Sequence, residues 1–210
     1  MKHWTDMSSG WHENYERGRP GYPAQVVRVP VVPTSASVLE VGAGTGKLTR
    51  LLVDAYAVVL ALEPDPTMRR WCDACCPQAM LIAGTAEQLP LADRSVDAVF
   101  SAEAFHWFAH DRALADFARV LRPGGSLVLA WNRPDGGVEP SIAAVEELLE
   151  PYWPDAIEMP LDLDPRQFEH ARDWPLAFAR SPFEPLQEVR LTNTQTVDRE
   201  GLPSSAPWAG

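Results

Sequence analysis

Within seven residues the chain sets one acid and three glycines, Glu40-Val41-Gly42-Ala43-Gly44-Thr45-Gly46. Glycines so spaced let a backbone bend sharply and let a ligand lie against bare peptide groups. A helix following them would add free N–H groups and a positive dipole end. The spacing is Gly-x-Gly-x-Gly, not the Gly-x-Gly-x-x-Gly of dinucleotide sites, and Glu40 stands two residues before the first glycine. A pyrophosphate would gain nothing from that acid, whereas a cationic ligand would gain from it. Glu63 lies 17 residues past Gly46, at the end of an apolar run that Pro64 stops. A carboxylate there is placed to accept from both ribose hydroxyls of an adenosine. The plain alternative is a solvated acid at a strand end.

Two further groups carry a weaker signal. Residues 84–91, Gly-Thr-Ala-Glu-Gln-Leu-Pro-Leu, form a short loop whose N–H groups and Thr85 or Glu87 side chain suit an adenine edge; an ordinary connection explains it as well. Residues 102–108, Ala-Glu-Ala-Phe-His-Trp-Phe, follow the fourth apolar run. His106 could serve as a general base, because imidazole titrates near neutrality. Phe105 and Trp107 could form a hydrophobic or cation-attracting wall. A satisfied histidine in a packed helix start is the bland reading.

These residues need elements to hold them. Residues 37–41, 58–63, 80–83, 96–101 and 126–131 read as short strands. Residues 46–54 carry leucines at helical spacing, and Asp65 with Pro66 offers an N-cap and a first helical position. Residues 111–121 show an apolar face and run into Arg122-Pro123-Gly124-Gly125, a helix stop and a turn. Strands alternating with helices at this rhythm predict a parallel sheet covered on both faces. The ends are less regular. Pro30 and Pro33 confine any early helix to residues 23–29; residues 141–152 suit a helix, 186–197 a strand, and 201–210 show no periodicity.

Composition excludes several classes. The net charge is −11, which argues against a nucleic-acid partner bound through phosphate. No apolar stretch approaches the ~20 residues a membrane helix needs, and the start shows no secretory pattern. Cys72, Cys75 and Cys76 sit in one cluster, which makes neither a disulfide framework nor a four-ligand zinc site. A reduced cytoplasmic location and no metal are therefore expected.

The chain resembles the class I S-adenosylmethionine-dependent methyltransferases, within them the type 11-like small-molecule group. Residues 40–46 match their acid-x-Gly-x-Gly-x-Gly loop, Glu63 their ribose acid, residues 84–91 their adenine loop, and Leu121-Arg122-Pro123-Gly124-Gly125 the turn before their fifth strand. Tyr15-Glu16-Arg17-Gly18-Arg19-Pro20-Gly21-Tyr22-Pro23 is similar to a segment that covers the cofactor in one bacterial and fungal subgroup, and Phe105-His106-Trp107-Phe108 is typical of that subgroup. The resemblance implies a Rossmann-like, doubly wound, mostly parallel sheet with helices on both faces. It implies S-adenosylmethionine contacts from Glu40, Gly42, Ala43, Gly44, Gly46, Glu63, Pro64, Thr85, Ala86, Glu87 and Ser101. It implies a small-molecule methyl acceptor against Tyr15, Tyr22, Phe105 and Trp107, with His106 as the catalytic group. The division that follows is a cover at 1–36, a cofactor core at 37–133, a substrate-side part at 134–200 and a tail at 201–210.

There are departures. Thr85 stands where many relatives carry an acid. Relatives also continue past the region matching 198–202 into a helix and a last antiparallel strand, so the expectation is that this strand is missing. An uncovered sheet edge would then favour self-association. The reaction expected is an in-line methyl transfer; the alternatives are a degenerate S-adenosylmethionine-binding protein without turnover, and a nicotinamide-dependent oxidoreductase, which the glycine spacing and Glu40 disfavour.

Overall fold

The computed structural model describes residues 16, 19–108, 111–132 and 174–194. Five strands form one sheet: β1 Ser37–Val41, β2 Val58–Leu62, β3 Met80–Ile82, β4 Val96–Ala102 and β5 Leu121–Ala130. All pairs are parallel and the order is β3-β2-β1-β4-β5. The order reverses between β1 and β4, and in such sheets ligands bind outside the strand ends at that switch point. The doubly wound parallel sheet is the architecture expected.

Between the strands lie α1 Thr49–Ala55, α2 Pro66–Cys75 and α3 Asp111–Val120, with α4 Trp174–Ala179 further on. Asp65 caps α2 as its sequence suggests: its Oδ1 accepts the N–H of Thr67 at 2.8 Å and of Met68 at 2.7 Å. Alternate strand residues enter two apolar layers. Val38, Val59, Ala61 and Phe100 meet Leu52, Cys72 and Cys76 on one face; Leu39, Val41, Leu62 and Val99 meet Leu114 and Phe117 on the other. Burial on both faces is why the strands are almost wholly apolar. Among the described residues, no helix is long and apolar enough to cross a membrane.

Some expectations need correction. The early helix is a 3-10 turn, Ala24–Arg28, and α1 begins at Thr49 because residues 44–48 still belong to the turn. The turn at 122–125 lies inside β5. Val96 pairs with Leu121 and Ala98 with Ser126, so four residues bulge opposite Asp97. Gly124, at a φ of 79°, supplies the bend. Residues 186–194, read as strand, carry none, and β5 pairs with β4 alone among the described residues. Alternation without a neighbouring ladder does not make a strand, and Leu191 instead leans on the first core layer. The helix read at 141–152 and the tail at 201–210 lie outside the described residues.

Asp97 pins the bulge. Its Oδ2 accepts the Ser37 N–H at 2.8 Å and pairs with Arg122 Nη1 at 2.7 Å. Burial pulls its carboxyl upward, but the Ser37 N–H and the Arg122 charge outweigh that and leave its pKa lowered. A depressed carboxylate contributes stability above the unfolded pKa, near pH 4, and loses it as pH falls through the folded value. Asp97→Asn should therefore cost about 1–2 kcal/mol at neutral pH. Urea unfolding should show the gap narrowing as pH falls below the unfolded value of about 4; a gap that stays constant from neutral pH into that range would sink this account.

Candidate functional site

The glycine loop leaves β1 at the switch point. Gly42, Gly44 and Gly46 have φ of 79°, 56° and 89°, a region that favours glycine. A methyl group on Gly42 would lie 2.5 Å from Ala104 Cβ; on Gly46 it would lie 3.0 Å from Cys72 Sγ and 3.1 Å from Cys76 Sγ. On Gly44 it would meet nothing within 4 Å. The first and third glycines thus let neighbours close in, while the second presents bare backbone to open space. Ala43 is buried between them.

Glu63 reaches this loop from the end of β2. Its Oε2 accepts the Gly44 N–H and its Oε1 the Asp65 N–H, both at 2.9 Å. The residue is 8% exposed, and burial raises its pKa against the pull of the Asp65 and Gly44 N–H groups. Pro64 is exposed beside it, and Arg69 Nη1 donates to the carbonyls of Glu63 at 2.7 Å and Pro64 at 2.8 Å. Glu40 is placed differently from a mouth residue. It is 2% exposed, and its Oε2 accepts the Thr49 hydroxyl at 2.6 Å behind the loop. Burial pushes its carboxyl well above the usual range in spite of that hydrogen bond.

The third loop is held from below. Thr85 is exposed, Glu87 half-buried and Ala86 buried in the second layer. On α3, Asp116 Oδ2 accepts the Leu89 N–H at 2.6 Å, and Arg119 donates to the carbonyls of Leu89 and Leu91 at 3.1 and 2.8 Å. The sequence hid these two residues, because polar positions three apart on an amphipathic helix look like its solvated face.

At the end of β4, Ser101 is wholly buried, and its Oγ has no hydrogen-bond partner among the described residues. Residues 105–107 form a 3-10 turn. Phe105, expected in the wall of an acceptor pocket, is wholly buried instead, with ring centroids 5.9 Å from Phe108, 5.9 Å from Phe178 and 6.4 Å from Trp131. An aromatic side chain at the tight turn gains more from this cluster than from water. Its neighbour Trp107 is 48% exposed, and its ring lies 5.0 Å from that of the half-buried His106. Burial, then the charge of Arg19, lowers the His106 pKa.

The N-terminal segment closes on the same loop. Glu16 accepts the Thr45 hydroxyl, its carbonyl accepts Lys47 Nζ at 2.6 Å, and its Oε1 pairs with Arg50 at 2.8 Å. Tyr22 is half-buried against the first core layer, and Tyr15 lies outside the described residues. Cys72 and Cys76 pack beneath Gly46 while Cys75 is exposed. Cys72 Sγ donates to Thr49 Oγ1 at 3.6 Å and Cys76 Sγ to the Gly46 carbonyl at 3.8 Å.

Residues 39–129 match a family described as methyltransferase domain. An uncharacterized methyltransferase of Mycobacterium tuberculosis is 49% identical over 121 residues, covering 58% of this chain and 50% of the relative. A malonyl-[acyl-carrier protein] O-methyltransferase of Methylococcus capsulatus is 42% identical over 123 residues, covering 50% and 45%. The chain thus spans about half the length of these curated relatives. A candidate type II methyltransferase from Anaeromyxobacter dehalogenans, solved as a structure, shares the fold at a TM-score of 0.53 and 28% identity, over 66% of this chain and 61% of that one. Family match, parallel sheet and relatives agree: residues 39–129 carry a methyltransferase domain, and the chain is similar to the class I S-adenosylmethionine-dependent methyltransferases.

Proposed function

We propose that this chain binds S-adenosylmethionine across the ends of β1, β2 and β4 and transfers its methyl to a small-molecule acceptor by in-line displacement. The observation that carries this is Glu63: an enclosed carboxylate against the Gly44 N–H, beside a glycine that faces open space. Each Glu63 oxygen accepts one N–H and keeps a lone pair, which suits two vicinal hydroxyls. Held there by these residues, S-adenosylmethionine would supply a methyl on a positively charged sulfur that can leave as a neutral thioether.

The chain's own work is then to bind, orient and exclude water. Glu63 holds the ribose. The 42–46 backbone, with Pro64 and Thr85 to Glu87, lines the rest of the adenosine. Glu40 acts from behind the loop, where a nearby cation would draw its raised pKa back down. Trp107 presents an aromatic face and His106 takes a proton from the acceptor. Tyr22 belongs to the cover. The relative named for malonyl-[acyl-carrier protein] makes a carboxylate oxygen one acceptor class to test, beside hydroxyl and amine acceptors.

Calorimetry with S-adenosylmethionine and S-adenosylhomocysteine tests the reading; no heat from either would overturn it. Binding without turnover over the acceptor classes would leave the degenerate-binder alternative. For an acceptor that must lose a proton, the rate should rise with pH and level off below the ordinary imidazole value of about 6.5, because His106 is neutral above a lowered pKa. His106→Gln should lower turnover roughly 100-fold and abolish that rise while cofactor affinity stays the same. An unchanged pH profile in the variant would remove His106 as the base.

A further inference from the structure

Glu103 has no part in the proposed methyl transfer, yet it is held hard at the mouth of the crevice. Its φ of 51° lies in the left-handed region, which glutamate enters at a cost. Three contacts hold it. Its N–H donates to Ala130 O at 2.9 Å. Its Oε1 accepts the Asn132 N–H at 2.6 Å, and its Oε2 faces Arg19 Nη1 at 3.7 Å. The contacts continue outward: the Asn132 and Asn193 amides both donate to Gly21 O, at 3.2 and 2.8 Å, and Asn193 Nδ2 also donates to Asn132 Oδ1 at 2.8 Å.

The position matters as much as the contacts. The next residue, Ala104, presses on Gly42, and the turn that follows carries His106 and Trp107. One carboxylate therefore touches the N-terminal segment and the end of β5, while its backbone begins the turn after β4. With two acceptor oxygens and a negative charge, the carboxylate takes a backbone N–H on one side and faces a guanidinium on the other.

We propose that Glu103 is a positioning residue that fastens the Arg19–Gly21 segment and the end of β5 to the turn carrying His106, so that three walls of the crevice keep one geometry. Its use to the protein rests on the methyltransferase reading; the fastening itself does not.

The test uses the full chain with Glu103→Gly, Glu103→Ala and Glu103→Gln. Glycine relieves the left-handed backbone, so Glu103→Gly should melt no lower than wild type while lacking the carboxylate. Hydrogen exchange without ligand is the first readout. In Glu103→Gly and Glu103→Ala, the amides of 19, 21, 22 and 132 should exchange about tenfold faster, with β1 to β3 unchanged. Glu103→Gln keeps an oxygen for Asn132 but no charge for Arg19, so it should free 19–22 and spare 132. The second readout is S-adenosylhomocysteine dissociation, which should be at least about fivefold faster in Glu103→Gly. Wild-type exchange at 19–22 in Glu103→Gly would overturn the proposal and leave a strained turn residue. If exchange loosens but the wild-type chain binds no S-adenosylhomocysteine, the fastening stands and the methyltransferase reading falls.

Discussion

Gly42→Ala should unfold at a much lower denaturant concentration than wild type and bind S-adenosylhomocysteine weakly or not at all. Two costs coincide at this residue. The φ of 79° is left-handed, worth about 1–2 kcal/mol against any side chain. The added methyl would also lie 2.5 Å from Ala104 Cβ, a contact that cannot stand without moving backbone. Overpacking of that kind costs about 1–3 kcal/mol more. The relief is to push the β4–α3 turn away from the glycine loop, which opens the crevice where the methyl transfer is proposed. Gly44→Ala is the control. It carries the left-handed cost alone, since nothing lies within 4 Å of its new methyl. Gly42→Ala should therefore be the less stable of the two in urea titrations. Equal stability of the two variants would mean that the loop yields easily and that the Gly42–Ala104 approach has no structural weight.

The second large effect is at Glu63, where stability and binding should part. Glu63→Ala should weaken S-adenosylhomocysteine binding by about 1.5–3 kcal/mol, or roughly 10- to 150-fold in Kd. Glu63→Gln should fare no better, although it keeps the size. Both carboxylate oxygens accept from backbone N–H groups, so the amide nitrogen must face a donor. The effect on folding has the opposite sign. Burial raises the Glu63 pKa, so the unfolded chain releases this proton at lower pH than the folded one. Between the two values stability falls as pH rises, and at neutrality ionised Glu63 is a net burden on the fold. Its removal should leave the melting temperature at neutral pH near or above that of wild type. A variant that binds normally would remove Glu63 from the ribose role. A variant that binds weakly but also melts far lower would make the lost affinity a folding effect.

Glu63 and Gly42 are legible in the amino-acid sequence because their signals are local. A strand of apolar residues, a run of glycines, an acid at the strand end and an Asp-Pro helix start each express backbone and side-chain preferences within a few residues. That suffices for β1 to β4, for the cap of α2 and for the parallel architecture. It does not suffice for β5, whose first residue pairs with Val96 across a bulge where Asp97 bonds both Ser37 and Arg122.

What the tertiary structure decided is which polar residue meets which partner and which aromatic side chain is buried. Phe105 and Trp107 stand two residues apart in one motif, yet one is wholly enclosed and the other half in solvent, because the 3-10 turn aims them at different surroundings. Asp116 and Arg119 hold the third loop across 27 to 30 residues of sequence. Glu103 joins groups 84 residues before it and 29 after it. Local pattern sets the elements because their hydrogen bonds are short in sequence. Partners such as these are chosen only when packed elements bring distant residues within about 3 Å, a distance at which a hydrogen bond exists at all.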